Sequence, residues 1–290
     1  MTQRDLKLKS AATTIAAALT LAFSATAQGS ILDGIVDVWT VDVDTVFNTS
    51  TICDSNGDCT QPNGVTVVSN QSLRWGDPAT NNGQSGLDIT DSPSTEQVTT
   101  NGAAVANVSV THLNQPIYAP SLSSVDILST LTLTPFDPSD AALAPATITF
   151  KINFEETNNA DDPCADGGAN GVGVNVNGCA DIFVIDQSAL NFPFFYDLDG
   201  AAGPLQNQQY YISFFELTSG LNPLPADACT AAGTAAPCIG FRTPEQENTT
   251  FQFAALITTE RVSVPEPGAL ALMGLGIGLM GLLHRRRRSV

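Results

Sequence analysis

Positive charge is nearly missing from the body of this sequence. Between residues 28 and 263 only Arg74, Lys151, Arg242 and Arg261 stand against 27 acidic side chains, a net charge of −23. A surface of that sign repels phosphate backbones and anionic lipid, so nucleic acid is excluded as a partner. Histidine is as scarce, with His112 and His284 the two in 290 residues. A Ser-His-Asp relay would have to run through His112, and no Gly-x-Ser-x-Gly elbow accompanies it. One histidine also cannot build a histidine-rich zinc site, and no Cys-x-x-Cys pair offers thiolates. No catalytic residues are assigned, and an enzyme is not expected. A long apolar repeat of 3.6 residues is absent between residues 29 and 264, which argues against helical architectures.

What is present begins with a leader. Arg4, Lys7 and Lys9 precede the small and apolar stretch Ala11–Phe23, and Ala25-Thr26-Ala27 follows as an A-x-A cleavage pattern. Residues 1–27 therefore read as a secretion signal cut after Ala27. Residues 28–263 read as one domain. Ile35–Phe47 alternates Trp39, Val41 and Val43 with Thr40, Asp42 and Asp44, the period of a strand with one wet face. Further strands are expected over 64–69, 73–76, 104–114, 125–134, 146–155, 181–186, 209–217 and 249–264. Gly, Pro, Asn and Asp punctuate the gaps. The fold class expected is all-β, an antiparallel sandwich or jelly roll. Ser92–Gly102 reads as a polar connection, and Thr157–Gly178 and Ser219–Gln246 read as long loops.

Six cysteines form three short-range couples: Cys53 with Cys59, Cys164 with Cys179, and Cys229 with Cys238. Six cysteines allow 15 connectivities; in an oxidising compartment the local couples are the natural loop staples. Asp54, Asn56 and Asp58 place oxygens at alternate positions of the first stapled loop. They are weak calcium candidates, because Gly57 comes too early for an EF-hand and no glutamate closes the loop. No other cofactor is expected. Glu155 and Glu156, as neighbours on a strand, point to opposite faces and cannot form a glycosidase pair. The aromatic clusters at 192–196 and 210–215 read as core, with sugar stacking as the alternative.

The C-terminal segment, residues 264–290, has three parts. Pro265-Glu266-Pro267 breaks the last strand. Ala269–Leu283 is an apolar run of about 22 Å as a helix, short of a bilayer core of about 30 Å. Arg285, Arg286, Arg287 and Arg288 follow as a stop-transfer cluster. This order resembles the PEP-CTERM sorting signal of Gram-negative bacteria. The resemblance implies export through the inner membrane and a membrane stage held by the 269–283 helix. It further implies processing by exosortase and the secretion machinery at Pro265, Glu266 and Pro267, and display at the cell envelope, outer surface or matrix.

Within the body, Thr111-His112-Leu113-Asn114 is similar to the Thr-His-x-Asn signature of the THxN family of PEP-CTERM proteins. Arg74-Trp75-Gly76 and Ser85-Gly86-Leu87 resemble the Trp-Gly and Ser-x-Leu segments of that family. Thr111 and Asn114 suit bonds to backbone groups where a strand leaves its sheet, and His112 suits a neighbouring carbonyl. The function expected is a structural or adhesive surface protein associated with extracellular polysaccharide and biofilm. A carbohydrate-binding module is the runner-up, and a secreted hydrolase ranks third.

Overall fold

The computed structural model describes residues 34–185, 191–198, 207–218 and 222–262. The signal segment 1–27, the Pro-Glu-Pro triplet, the 269–283 run and the Arg285–Arg288 cluster lie outside them. In chain order the strands are β1 (Val38–Asp54), β2 (Val65–Ser69), β3 (Ser72–Trp75), β4 (Asp77–Pro78), β5 (Ser85–Thr90), β6 (Ser94–Thr99), β7 (Val105–Leu113) and β8 (Ile117–Tyr118). They continue as β9 (Leu122–Asp137), β10 (Ala146–Glu155), β11 (Asp181–Ile185), β12 (Phe192–Tyr196), β13 (Gln208–Glu216), β14 (Asn222–Pro223), β15 (Ile239–Thr243) and β16 (Asn248–Thr258). Among the described residues the one α-helix, α1 (Ala226–Ala231), precedes β15, and a short 3-10 turn spans Gly173–Asn175.

The strands build two seven-stranded sheets and a small two-stranded one. The first sheet runs β14-β15-β11-β10-β9-β1-β6, the second β12-β13-β16-β7-β5-β3-β2, and β4 pairs with β8. All these pairings are antiparallel. The molecule is thus the expected all-β sandwich. Among the described residues no helix is long and apolar enough to cross a membrane.

The core follows from the period of two. Over the first half of β1 the buried side chains are Trp39, Val41, Val43, Thr45 and Phe47, while the residues between them meet solvent in part, and Ile52 and Asp54 are buried near its end. From the first sheet Trp39 meets Tyr210 of the second edge to face, with ring centroids 5.2 Å apart. Phe241 and Phe251 make the same link elsewhere at 4.1 Å. Burying such rings removes 150–250 Å² each from water, which makes them the main contributors to the inter-sheet contact. Thr45 interrupts the apolar layer, and its hydroxyl is satisfied by Ser129 Oγ at 2.9 Å.

Three expectations need correction. Ser92–Gly102 is not a mere connection: it contains β6, which pairs with β1 and buries Ser94 and Val98. Its polar run hid it, because an edge strand needs only its inward residues to be apolar. Ser219–Gln246 is not one long loop, since it carries β14, α1 and β15. The last strand ends at Thr258 rather than at Val264. The helix has a clear purpose. Asp181–Val184 is buried throughout, so its outward side chains Ile182 and Val184 require a cover. Ala228, Cys229 and Ala232 provide it.

All three local cysteine couples are disulfide-bonded: Cys53–Cys59, Cys164–Cys179 and Cys229–Cys238. The last ties α1 to the start of β15. No described cysteine is free.

Candidate functional site

One end of the sandwich gathers the residues singled out by the sequence. Arg74-Trp75-Gly76 closes β3, Ser85-Gly86-Leu87 opens β5 and Thr111–Leu113 closes β7, and these strands are neighbours. Trp75 lies opposite Ser85, Leu87 opposite His112, and Gly86 opposite Leu113. Glycine is needed at position 86 because a Cβ there would lie 2.5 Å from the Leu73 carbonyl oxygen. Gly76 has φ +74 and takes the Ile117 side chain against its backbone. The Ser85 hydroxyl donates to the Gln115 carbonyl at 2.9 Å and accepts from the Gln115 amide at 3.2 Å.

The sheets are locked together at this end by polar groups. Asn114 Nδ2 donates to the carbonyls of Thr243 and Pro244, each at 3.1 Å. That is the backbone role expected of Asn114. His112, fully buried, places Nδ1 3.0 Å from Thr243 Oγ1, a hydroxyl rather than the carbonyl expected. Its ring stacks on Trp75 with centroids 5.8 Å apart and meets Phe183 edge on at 4.8 Å. Burial pushes the His112 pKa down to about 3, so the imidazole is neutral at physiological pH. Thr111 is on the other face of β7, where its hydroxyl pairs with that of Thr250 at 2.9 Å.

Against this face the first sheet presents three carboxyl groups that no sequence motif announced. Glu156 follows β10, Asp181 opens β11, and Glu245 lies two residues beyond β15. One carboxylate oxygen from each falls within 4.8 Å of the other two. Trp75 Nε1 donates to Glu156 Oε2 at 2.9 Å, and the Thr157 amide donates to Asp181 Oδ1 at 2.9 Å. Asp181 Oδ2 and both oxygens of Glu245 have no hydrogen-bond partner, although both residues are fully buried. Burial raises Glu156 to about 8, against the lowering effect of the Trp75 hydrogen bond, and the charges of Glu245 and Glu155 add to the rise. Asp181 is raised well above its ordinary value by burial and by the charges of Glu156 and Glu245, against the Thr157 hydrogen bonds. Burial raises Glu245 as well, partly offset by the Asn159 side-chain amide and the Gln246 backbone amide. Among the described residues Arg74 pairs with Asp88 and Arg242 with Asp166, so neither arginine neutralises this trio.

The Cys53–Cys59 loop is organised differently. Asp54 Oδ1 accepts from the amides of Asn56 and Asp58, and Oδ2 accepts from that of Asn63 at 2.7 Å. Asp58 Oδ1 accepts from Thr60 and Gln61. These carboxylates brace the turn with their own backbone. The aromatic clusters divide as well: Tyr196, Tyr210 and Phe214 are buried, whereas Phe195 is exposed.

Glu155 ends β10 and Glu156 lies just beyond it, so the two are not the strand neighbours expected, and the partners of Glu156 come from β11 and the segment after β15. Asp181 and Glu245 carried no spacing signal. The only hint was indirect, in that both sit where a strand meets a turn on the same edge of the sheet.

Comparison with known proteins adds one match. Residues 263–288 fit the model of the PEP-CTERM protein-sorting motif, which includes Pro265, Glu266, Pro267 and Arg285–Arg288. A search of curated proteins returned no match. The motif supports an exported protein that exosortase sorts to the cell envelope, and the three disulfides are consistent with an extracytoplasmic location.

Proposed function

We propose that this chain is a non-enzymatic, exosortase-processed component of the cell surface or extracellular matrix, of the THxN kind, associated with extracellular polysaccharide and biofilm. The observation that carries this reading is the sorting motif at 263–288 placed after a disulfide-stapled β-sandwich. The THxN assignment is supported by the adjacency of its three segments on β3, β5 and β7, where they form one packed corner. The absence of catalysis is supported by burial: His112 and its hydroxyl partner Thr243 are both 0% exposed, which keeps the pair from a bulky substrate. A carbohydrate-binding role remains the second reading, favoured by the exposed rings of Tyr118 and Phe195, since sugars stack on aromatic faces.

Processing is tested by fractionating the native cell and measuring the mature termini by mass spectrometry. Pro265→Ala with Pro267→Ala should leave an uncut precursor in the membrane. Normal processing of that variant counts against exosortase handling. A glycan array probed with the processed protein separates the adhesive reading from the carbohydrate-binding one.

A further inference from the structure

The buried trio gathers three acidic groups with no positive partner among the described residues. A carboxylate removed from water needs hydrogen-bond donors or a positive partner. Asp181 Oδ2 has neither, Glu245 is offset only by the Asn159 side chain and the Gln246 amide, and among the described residues no arginine or lysine pairs with the trio. A second, independent group faces the same point. His112 is 0% exposed, its Nε2 has no hydrogen-bond partner, and that atom lies 3.9 Å from Asp181 Oδ2.

Thr243 Oγ1 lies 3.0 Å from His112 Nδ1 and 3.5 Å from the Asp181 main-chain carbonyl. A hydroxyl that donates to that carbonyl accepts from Nδ1–H, the tautomer that leaves Nε2 unprotonated. Nε2 then presents a lone pair to a carboxylate oxygen, two acceptors with nothing between them. A metal ion resolves this contact. Donor atoms about 2.0–2.4 Å from one centre lie roughly 3–5 Å from each other, and one oxygen from each of Glu156, Asp181 and Glu245 meets that requirement, all three falling within 4.8 Å of one another. Outer hydrogen bonds typically orient such ligands, and Trp75 to Glu156, Thr157 to Asp181 and Thr243 to His112 have that form.

We propose that Glu156, Asp181 and Glu245 form a buried binding site for one divalent metal ion, with the unpartnered Nε2 of His112 facing it from the Asp181 side. Three carboxylate oxygens suit a hard ion, and the adjacent imidazole nitrogen favours Mn²⁺ over Mg²⁺ and Ca²⁺. The site also gives the Trp-Gly and Thr-His-x-Asn segments a physical role. One supplies the indole that holds Glu156, the other the imidazole and the Asn114 tether beside Glu245.

The test uses the full chain stripped with EDTA and then titrated with Mn²⁺. One ion should bind per chain, and a hundredfold excess over Kd should raise Tm by about 5–10 °C. Glu245→Gln and Asp181→Asn should weaken binding tenfold or more. His112→Gln, which removes the nitrogen facing Asp181, should weaken binding by a smaller factor than either carboxylate variant. Glu156→Gln, at the partly exposed member, is the variant least disruptive to folding and should lose affinity while its metal-free Tm holds or rises. Four results would overturn the proposal: no stabilisation by either Mn²⁺ or Zn²⁺, full affinity in Glu245→Gln, tighter Ca²⁺ binding indifferent to His112→Gln, or loss of binding only in Asp54→Asn with Asp58→Asn.

Discussion

Replacing Cys164 and Cys179 together by alanine should be the most damaging of the three disulfide deletions. The bridge closes a separation of 15 residues, for which loop-closure entropy predicts about 3 kcal/mol at 25 °C. Separations of 9 and 6 residues for the other two bridges give about 2.6 and about 2.2 kcal/mol by the same relation. Entropy alone therefore hardly separates them, and their surroundings decide the order. Cys164 and Cys179 are 3% and 0% exposed, so the lost sulfur packing adds about 1 kcal/mol. Cys229 and Cys238 are buried too, so that bridge should follow closely, behind only by its shorter loop. The Cys53–Cys59 turn stands in the opposite case. Asp54 already fixes it through the amides of Asn56, Asp58 and Asn63, so its bridge should matter least. Urea denaturation without reductant should show a loss of about 4 kcal/mol for Cys164→Ala with Cys179→Ala. In Tm that is about 8–16 °C, at 2–4 °C per kcal/mol for a domain of this size. The Cys53→Ala with Cys59→Ala pair should lose less than about 2 kcal/mol. Equal losses, or a loss below 1 kcal/mol at the buried bridge, refute the reasoning.

Other perturbations test separate parts of the structure. Asn107→Leu should stabilise the protein by about 1–2 kcal/mol, because both amide atoms lack a partner and the side chain faces an apolar cavity of about 80 Å³; a loss of stability in urea refutes it. Gly76→Ala should cost more than 2 kcal/mol, combining about 1 kcal/mol of backbone strain with overpacking, since its Cβ would come 2.1 Å from Ile117 Cδ1. Gly57→Ala, also at positive φ but with nothing within 4 Å, should cost only the backbone part, and equal costs in chemical denaturation would contradict the contact. Arg74→Met tests pH linkage. Burial raises Asp88, but hydrogen bonds from Arg74 and Ser72 and the Arg74 charge outweigh it and hold the carboxyl below its ordinary value. A depressed carboxylate stabilises the fold above its unfolded pKa and loses that contribution as pH falls through the folded value. The two side chains are about a quarter exposed, so the wild type should exceed the variant by only about 1 kcal/mol at pH 7. The gap should close below about pH 3, and a gap that persists at pH 2.5 refutes the linkage.

Sequence alone determined the architecture, because a sheet with one wet face must alternate. Trp39, Val41 and Val43 could not all be buried in any other local geometry, and the local cysteine couples needed no knowledge of topology. The sorting segment was legible for the same reason: its proline break, apolar run and arginine cluster are contiguous. Elements with weak local patterns were not. The edge strand 94–99 has only two inward residues that need burial, and Ile182 and Val184 gave no sign that α1 would cover them. The carboxyl trio depended wholly on tertiary structure. Glu156 and Glu245 lie just beyond β10 and β15 and Asp181 opens β11, and only the antiparallel order of β10, β11 and β15 brings the three to one end of the sheet. Opposite them, the register of β3, β5 and β7 sets Trp75 and His112. Side chains that meet across two sheets share no spacing in the chain, so no reading of the order of residues could have assembled them.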